Sequence, residues 1–191
     1  MVAPIILFTY RRAAHTRRCV ESIKRSPLAA ESKLYIFSDA PKGNADLADV
    51  LAVRSYLKTV TGFKSVVIEE ATENRGLANS VIYGVGKVLE EHGRAIVLED
   101  DLILSPYFLS YMNEALEIYK DEEDVININS HILSSPMTFN ENFFISFANS
   151  WGWATWKRGW AMQNTTRASN QTQLEVQNEG EMRKHQSHSR K

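Results

Sequence analysis

Three consecutive carboxylates, Glu99, Asp100 and Asp101, are the side chains of this sequence whose types and spacing best suit chemistry. They follow Arg94-Ala-Ile-Val-Leu98, an apolar run with the composition of a buried strand. Carboxylates at the carboxyl end of an α/β strand lie where such folds bind ligands, and oxygen ligands there suit Mg²⁺ or Mn²⁺. Such an ion would neutralise the diphosphate of a substrate. In an extended chain Glu99 and Asp101 point to one face and Asp100 to the other. A Glu-Asp-Asp triplet is also common in solvated turns, so its interpretation depends on the other strand ends.

The elements that must position these carboxylates alternate along the chain. Apolar runs predict strands at about residues 4–9, 33–38, 65–69 and 94–98, with helices at about 12–26, 46–58 and 74–91 between them. Ser105 and Pro106 are expected to open a further helix through about Tyr119, and shorter strands are expected at 124–129 and 143–147. This alternation predicts one α/β domain with a doubly wound, mostly parallel, Rossmann-like sheet. Right-handed crossovers would bring the ends of its strands to one edge.

Composition is that of an ordinary globular protein. The 191 residues suffice for one α/β domain, and 43% are hydrophobic and 24% charged. A net charge of −1 gives no general attraction to nucleic acid or to an anionic membrane. Cys19 is the single cysteine, which excludes an intrachain disulfide and a cysteine-based zinc site.

The apolar run at the start of the sequence does not have the pattern of a membrane anchor. The apolar run over residues 1–8 is too short to span a bilayer and lacks the basic region of a signal peptide, so we expect a first strand, a cytoplasmic location and no transmembrane segment. Peripheral membrane contact stays open.

The domain is expected to cover residues 1–160. Residues 161–191 are rich in polar residues without apolar periodicity, which predicts a disordered tail.

Polar side chains also follow the other predicted strands. Arg11 and Arg12 come after the first, near a helix start, which suits phosphate binding. Asp39 comes after the second as an acceptor for a base or ribose. Arg75 and Gly76 follow the third, offering a bidentate fork and close backbone approach. No Gly-x-Gly-x-x-Gly or P-loop sequence occurs at these ends, which argues against dinucleotide cofactors and ATPase chemistry.

Each of these residues also has a plain structural interpretation. Arg11 and Arg12 could form a solvated first helical turn, and Asp39 could be a turn former. Asn74 could act only as a helix cap. The combination is more specific than any of its members.

Five segments together resemble the A-type nucleotide-sugar glycosyltransferases, with similarity to family-two sugar transferases and to the N-acetylglucosaminyltransferases that start N-glycan branching. The resemblance covers about residues 3–160 and rests on Pro4-Ile-Ile-Leu-Phe-Thr-Tyr-Arg-Arg12, Phe37-Ser-Asp39, Asn74-Arg-Gly-Leu-Ala-Asn79, Val97-Leu-Glu-Asp-Asp-Leu-Ile-Leu-Ser-Pro106 and Ser150-Trp-Gly-Trp-Ala-Thr-Trp156. It implies a nucleotide-diphospho-sugar transferase fold. It also implies transfer of a hexosyl or N-acetylhexosaminyl group from a metal-bound nucleotide sugar, with a UDP-sugar as the expected donor. The expected cofactor is Mn²⁺ or Mg²⁺, and the acceptor is a hydroxyl on a glycan or a lipid-linked saccharide.

The resemblance implies roles for matching positions around the nucleotide. Thr9 and Arg11 would line the nucleotide pocket, and Asp39 would accept a hydrogen bond from the base. Arg75 and Gly76 would lie near the nucleotide and diphosphate.

Further roles are implied around the cation and the sugar. Asp101 would be the direct metal ligand, with Asp100 near the ribose and Glu99 near the donor sugar. The segment Trp151-Gly152-Trp153 would shape the donor-sugar or acceptor side, and a core position for either tryptophan is the alternative.

The sequence departs from this family beyond the tryptophan segment. That region usually supplies further acceptor contacts and often the catalytic carboxylate, whereas here Glu175, Glu179 and Glu181 lie in the polar tail. No catalytic residue is therefore assigned, and the pattern is that of a chain that is truncated, frame-shifted or completed by a partner. Two alternatives follow: a nucleotide-sugar-binding remnant without turnover, and a sugar-phosphate nucleotidyltransferase. The first loop lacks the Gly-rich, Lys-containing sequence expected of the latter.

Overall fold

A computed structural model describes residues 1–131, 143–146 and 149–163. The described strands are β1 (Ile5–Thr9), β2 (Lys33–Ser38), β3 (Ser65–Glu70), β4 (Arg94–Glu99), β5 (Asn127–Asn129) and β6 (Trp153–Trp156). The helices are α1 (Ala13–Lys24), α2 (Asn44–Leu57), α3 (Gly76–His92) and α4 (Phe108–Ile118), with a 3-10 turn at Ala29–Glu31. Residues 157–163 are also helical. The predicted tail lies outside the described residues from 164 onward.

The strands form one mixed, mostly parallel sheet in the order β3-β2-β1-β4-β6-β5. β1 pairs in parallel with β2 and β4, and β2 pairs in parallel with β3. The α/β prediction with its doubly wound sheet is confirmed. β6 was not predicted as a strand and runs antiparallel to both β4 and β5, whereas residues 143–146 form no strand.

Helices cover both faces of the sheet because the central strands alternate two apolar sets. In β1, Ile5 and Leu7 join a core with α1, α2 and α4, while Ile6 and Phe8 join a second core with α3. Strands buried on both faces in this way are typical of parallel sheets. Within the described ranges, no helix has the length and apolar character needed to cross a membrane.

Helix α3 approaches the sheet closely because it carries Gly84. A Cβ atom at this position would lie 2.8 Å from Phe8 Cε1 and 2.9 Å from Phe37 Cδ2, closer than side chains tolerate. The two rings stack on each other with centroids 5.5 Å apart. The absence of a side chain at Gly84 therefore sets the distance between α3 and the ends of β1 and β2.

Candidate functional site

A cavity of about 370 Å³ opens at the carboxyl ends of β1, β2 and β4. The strand order reverses between β1 and β4, and a reversal of this kind is where open α/β sheets bind ligands. Seven of the residues predicted from sequence line it: Thr9, Arg11, Arg12, Asp39, Gly76, Glu99 and Asp100. Further lining residues include Tyr10, Lys42, Asn74 and Ser80.

The floor of the cavity is aromatic. Phe8 and Phe37 supply their stacked rings, and Leu77 of α3 lines the same space. Flat apolar surface of this kind can take the face of a planar base or a sugar ring. The rim, in contrast, is charged, which is the usual composition of a small-molecule site.

Asp39 holds the rim together through its carboxylate. Its Oδ1 accepts the backbone N–H groups of Ala40 and Arg75, and its Oδ2 accepts that of Gly76, each at 2.9 Å. Arg75 and Gly76 begin α3, where N–H groups have no partner within the helix. Asp39 is thus the cap of α3, and a carboxylate with about four acceptor positions retains one for a ligand. Asn74 was the expected cap, but its side chain instead donates to Ala40 O at 2.6 Å.

Arg54 of α2 holds the two loops that follow β2 and β3. Its guanidinium, 16% exposed, donates to the carbonyl oxygens of Ala71 at 2.8 Å and Asp39 at 3.3 Å. It also reaches Ser38 O at 3.4 Å. Sequence reasoning missed Arg54 because a basic residue on an amphipathic helix gives no sign of which carbonyl groups it will meet.

Asp46, at the start of α2, fixes the loop after β1. Its carboxylate accepts the Tyr10 hydroxyl at 2.6 Å and pairs with the Arg11 guanidinium. The Tyr10 and Arg11 hydrogen bonds lower the pKa of Asp46. The Tyr10 hydroxyl in turn accepts Lys42 N–H at 3.1 Å. Asp46 and Tyr10 were also missed, and the only available signal was their proximity to predicted element ends.

Arg12, rather than Arg11, meets the acidic triplet. One of its terminal nitrogens, Nη2, donates to Asp100 Oδ1, and the other, Nη1, lies 3.1 Å from Asp101 Oδ2. Thr16 of α1 donates to the second oxygen of Asp100 at 3.4 Å. The expected alternation of faces ends at Glu99 because the chain turns at residues 100 and 101, so that Asp100 and Asp101 share one partner.

Burial and mutual repulsion affect the triplet. Burial raises the pKa of Glu99, and the carboxylates of Asp101 and Asp100 raise it further, while Arg12 opposes the change. Burial likewise raises the pKa of Asp100 despite its contact with Arg12. The site thus holds negative charge that a cation would stabilise.

These carboxylates suit a divalent cation only when a bound phosphate supplies further oxygen ligands. Among the described residues, no three His, Cys, Asp or Glu side chains converge into a ready cation site. Mg²⁺ is commonly held by one or two carboxylates together with substrate phosphates, and the partly exposed Asp101 beside the cavity fits that mode. The residues therefore fit an ion shared with a bound phosphate, not one held by the protein alone.

Five predicted residues do not line the cavity. Asp101 instead contacts Arg12, and Arg75 stacks on Tyr83 with its guanidinium carbon 4.1 Å from the ring centroid. The remaining three form the Trp-Gly-Trp segment, residues 151–153, and are likewise absent from its lining.

Of the Trp-Gly-Trp segment, only Trp153 lies in the sheet. Trp153 is buried in β6 and stacks on Trp160 at 5.8 Å, which matches the core alternative. Gly152 has a φ of 74°, and a Cβ there would lie 3.2 Å from both Phe108 and Ser130. Trp151 is 52% exposed and contacts the ring of His131.

No protein-family model and no curated protein sequence matches this chain. Among solved structures it is similar to the mannosyltransferase PcManGT from Pyrobaculum calidifontis in complex with GDP-Man and Mn²⁺, at 18% identity and a TM-score of 0.48, over 66% of this chain and 34% of that one. It is also similar to S. aureus TarS at 12% identity and a TM-score of 0.47, over 74% of this chain and 24% of that one. The chain spans about a third of the first protein and a quarter of the second. Likeness at this level carries no information about substrate.

Proposed function

We propose that residues 1–160 form the nucleotide-sugar-binding domain of a glycosyltransferase. It would move a hexosyl or N-acetylhexosaminyl group from a nucleotide sugar to a hydroxyl of a glycan or lipid-linked saccharide, with a UDP-sugar as the expected donor. The observation that carries the proposal is the cavity at the reversal of strand order, where an aromatic floor meets the acidic end of β4. The motif resemblance supports the same assignment.

The proposed reaction requires positive charge at the rim of the cavity, because negative charge develops on the departing diphosphate. The acceptor oxygen loses its proton to solvent as it bonds to the anomeric carbon of the sugar. The bond from that carbon to the diphosphate oxygen breaks, so the diphosphate leaves with the electron pair. Bound Mn²⁺ or Mg²⁺ would supply Lewis-acid stabilisation of this departing negative charge. Arg12 and Arg11 line the cavity and could orient the diphosphate, since guanidinium groups bind phosphate in a bidentate manner.

A binding screen tests the proposal directly. UDP, GDP, CMP and dTDP are each added to the protein with and without Mn²⁺, and the melting temperature is followed. UDP with Mn²⁺ at 100 times its dissociation constant should stabilise the fold by about 2.7 kcal/mol, which corresponds to roughly 5–10 °C at this chain length. If none of the nucleotides changes the melting temperature with Mn²⁺ present, the proposal is wrong.

A second candidate is a nucleotide-sugar-binding remnant. Two of the three carboxylates that line the cavity favour it, because Asp39 caps α3 and Asp100 pairs with Arg12, so neither is free to take the proton of an acceptor hydroxyl. Release of UDP from a UDP-sugar in the presence of saccharide acceptors would exclude the remnant. Pyrophosphate formed from a nucleoside triphosphate and a sugar phosphate would instead support a nucleotidyltransferase.

A further inference from the structure

The guanidinium of Arg12 spans two carboxylates of the triplet, and its two contacts differ in strength. The contact with Asp100 is sheltered, because that carboxylate is 4% exposed and is also held by Thr16. The contact with Asp101 joins side chains that are 46% and 43% exposed. Exposed ion pairs contribute little, whereas breaking a buried pair is costly. The Asp101 contact is therefore the one that a ligand can replace.

Arg12 also links Asp101 to the cavity. It lines the cavity together with Glu99 and Asp100, whereas Asp101 is not a lining residue and contacts Arg12. An ion that binds Asp101 Oδ2 would compete with the Nη1 N–H groups for that oxygen, and these groups would then need another acceptor. Phosphate oxygen in the cavity would be such an acceptor, and Arg12 would stay anchored through Asp100.

We infer that Arg12 is the internal counter-ion of the cation site, exchanged at Asp101 when a divalent cation and a diphosphate arrive together. This inference rests on the proposed function, since the diphosphate is that of the nucleotide sugar. Arg12 is here a positioning residue for the cation and a binding residue for the phosphate. It opposes binding of a bare cation and favours binding of the cation–diphosphate complex.

The inference predicts that removing Arg12 changes two affinities in opposite directions, the affinity for bare Mn²⁺ and the affinity for UDP in the presence of Mn²⁺. Arg12→Gln removes the counter-ion, so bare Mn²⁺ should bind about fivefold tighter or more. The same variant loses the phosphate contact, so UDP in the presence of saturating Mn²⁺ should bind about fivefold weaker or more. A merely structural role for Arg12 would weaken both.

The experiment counts free Mn²⁺ by electron paramagnetic resonance at low ionic strength, with and without UDP, and corrects for Mn²⁺ bound by free UDP. Arg18→Gln is the matched control, because it removes a guanidinium from an exposed position of α1 that does not line the cavity. Its affinity for bare Mn²⁺ should stay within about twofold of wild type. Unchanged or weaker binding of bare Mn²⁺ by Arg12→Gln overturns the inference, as does an equal gain in Arg18→Gln.

A second variant tests the inference if Arg12→Gln does not fold. Arg12→Lys keeps one positive charge, but its single ammonium cannot span both carboxylates, so bare Mn²⁺ should bind about threefold tighter. No change in this variant likewise overturns the inference. Failure of the proposed function gives a different result, in which the wild-type protein binds no nucleoside diphosphate with Mn²⁺ while the comparison of bare cation binding keeps its outcome.

Discussion

Replacing Asp39 tests whether a single carboxylate holds the rim of the cavity. In Asp39→Ala the N–H groups of Arg75 and Gly76 lose their cap at the start of α3, and the N–H of the buried Ala40 loses its acceptor. Loss of a cap costs about 1 kcal/mol and an unsatisfied buried N–H about 1–3 kcal/mol. The free energy of unfolding should therefore fall by about 2–4 kcal/mol, and the melting temperature by about 4–16 °C.

The assay is urea unfolding followed by circular dichroism, without any ligand. Asp39→Asn keeps one acceptor oxygen but loses the charge and places an amide NH₂ against a backbone N–H, so it should cost about 1–2 kcal/mol. Asp49→Asn, at an exposed position of α2, is the control and should stay within about 0.5 kcal/mol of wild type. If both Asp39 variants also stay within that range, the capping argument is refuted.

The same variants separate two roles of Asp39. A cap lowers stability when it is removed, whether or not a nucleotide is present. A group that only accepts a hydrogen bond from the base lowers nucleotide affinity and leaves the ligand-free unfolding curve unchanged. We expect the first effect to be present, because the three hydrogen bonds to backbone N–H groups exist without a ligand.

Three further predictions concern the cation, the floor of the cavity and pH. Asp101→Ala should weaken Mn²⁺-dependent UDP binding in calorimetry by at least about tenfold, and unchanged binding would show that the metal assignment is wrong. Gly84→Ala should lower stability to urea by up to about 2 kcal/mol, because overpacking against Phe8 costs about 1–3 kcal/mol and helix propensity recovers about 1 kcal/mol. Gly86→Ala, where a Cβ meets nothing closer than 3.9 Å, should instead stabilise by about 0.5–1 kcal/mol, so equal effects at the two glycines would contradict the packing argument. Burial lowers the pKa of His92 below 6.5, so the folded protein binds fewer protons there than the unfolded chain. The stability that His92 contributes is therefore fully present above pH 6.5 and is lost as the pH falls through its folded pKa. His92→Gln should flatten this part of the plot of urea midpoint against pH. An unchanged slope would argue against a role of His92 in the pH dependence.

The parallel half of the sheet could be predicted from sequence because its signals are local. Each of β1 to β4 is a short apolar run bounded by polar or turn residues, and each prediction agrees with the structure to within a residue or two. The alternation of strands and helices then leaves few possible topologies, since the crossovers between parallel strands have a fixed hand. The end of β4 was therefore correctly placed at the same edge of the sheet as the ends of β1 and β2.

The antiparallel strand β6 could not be predicted in the same way. It has four residues, all buried, so it lacks the alternation by which a half-buried strand is recognised. Its tryptophans are equally compatible with a sugar-binding surface, and only the pairing with β4 decides between these interpretations. That pairing joins residues about 60 positions apart and leaves no local signal.

Contacts between different strand ends account for the remaining differences between the sequence-based prediction of the site and its structure. The sequence offered Asn74 as a local cap for α3, but Asp39, far away in the chain, takes that position. Arg11 and Arg12 are neighbours of the same type, so the sequence alone could not decide which one meets the triplet. The helix start after β1 decides it, because it turns Arg12 toward β4 and Arg11 toward α2.

The charges around the cavity are already paired within the protein, and this restricts what can bind. Arg11 pairs with Asp46, and Arg12 with Asp100 and Asp101. On our proposal, an anion alone would draw the Arg12 guanidinium from Asp101 and leave that carboxylate without a counter-charge. A cation alone would displace the guanidinium from Asp101 without giving it a new acceptor. Only a cation and a diphosphate together leave both the Asp101 carboxylate and the Arg12 Nη1 N–H groups with a partner, so the site should select the metal complex of a nucleoside diphosphate over the free nucleoside, the free metal or the metal-free nucleotide.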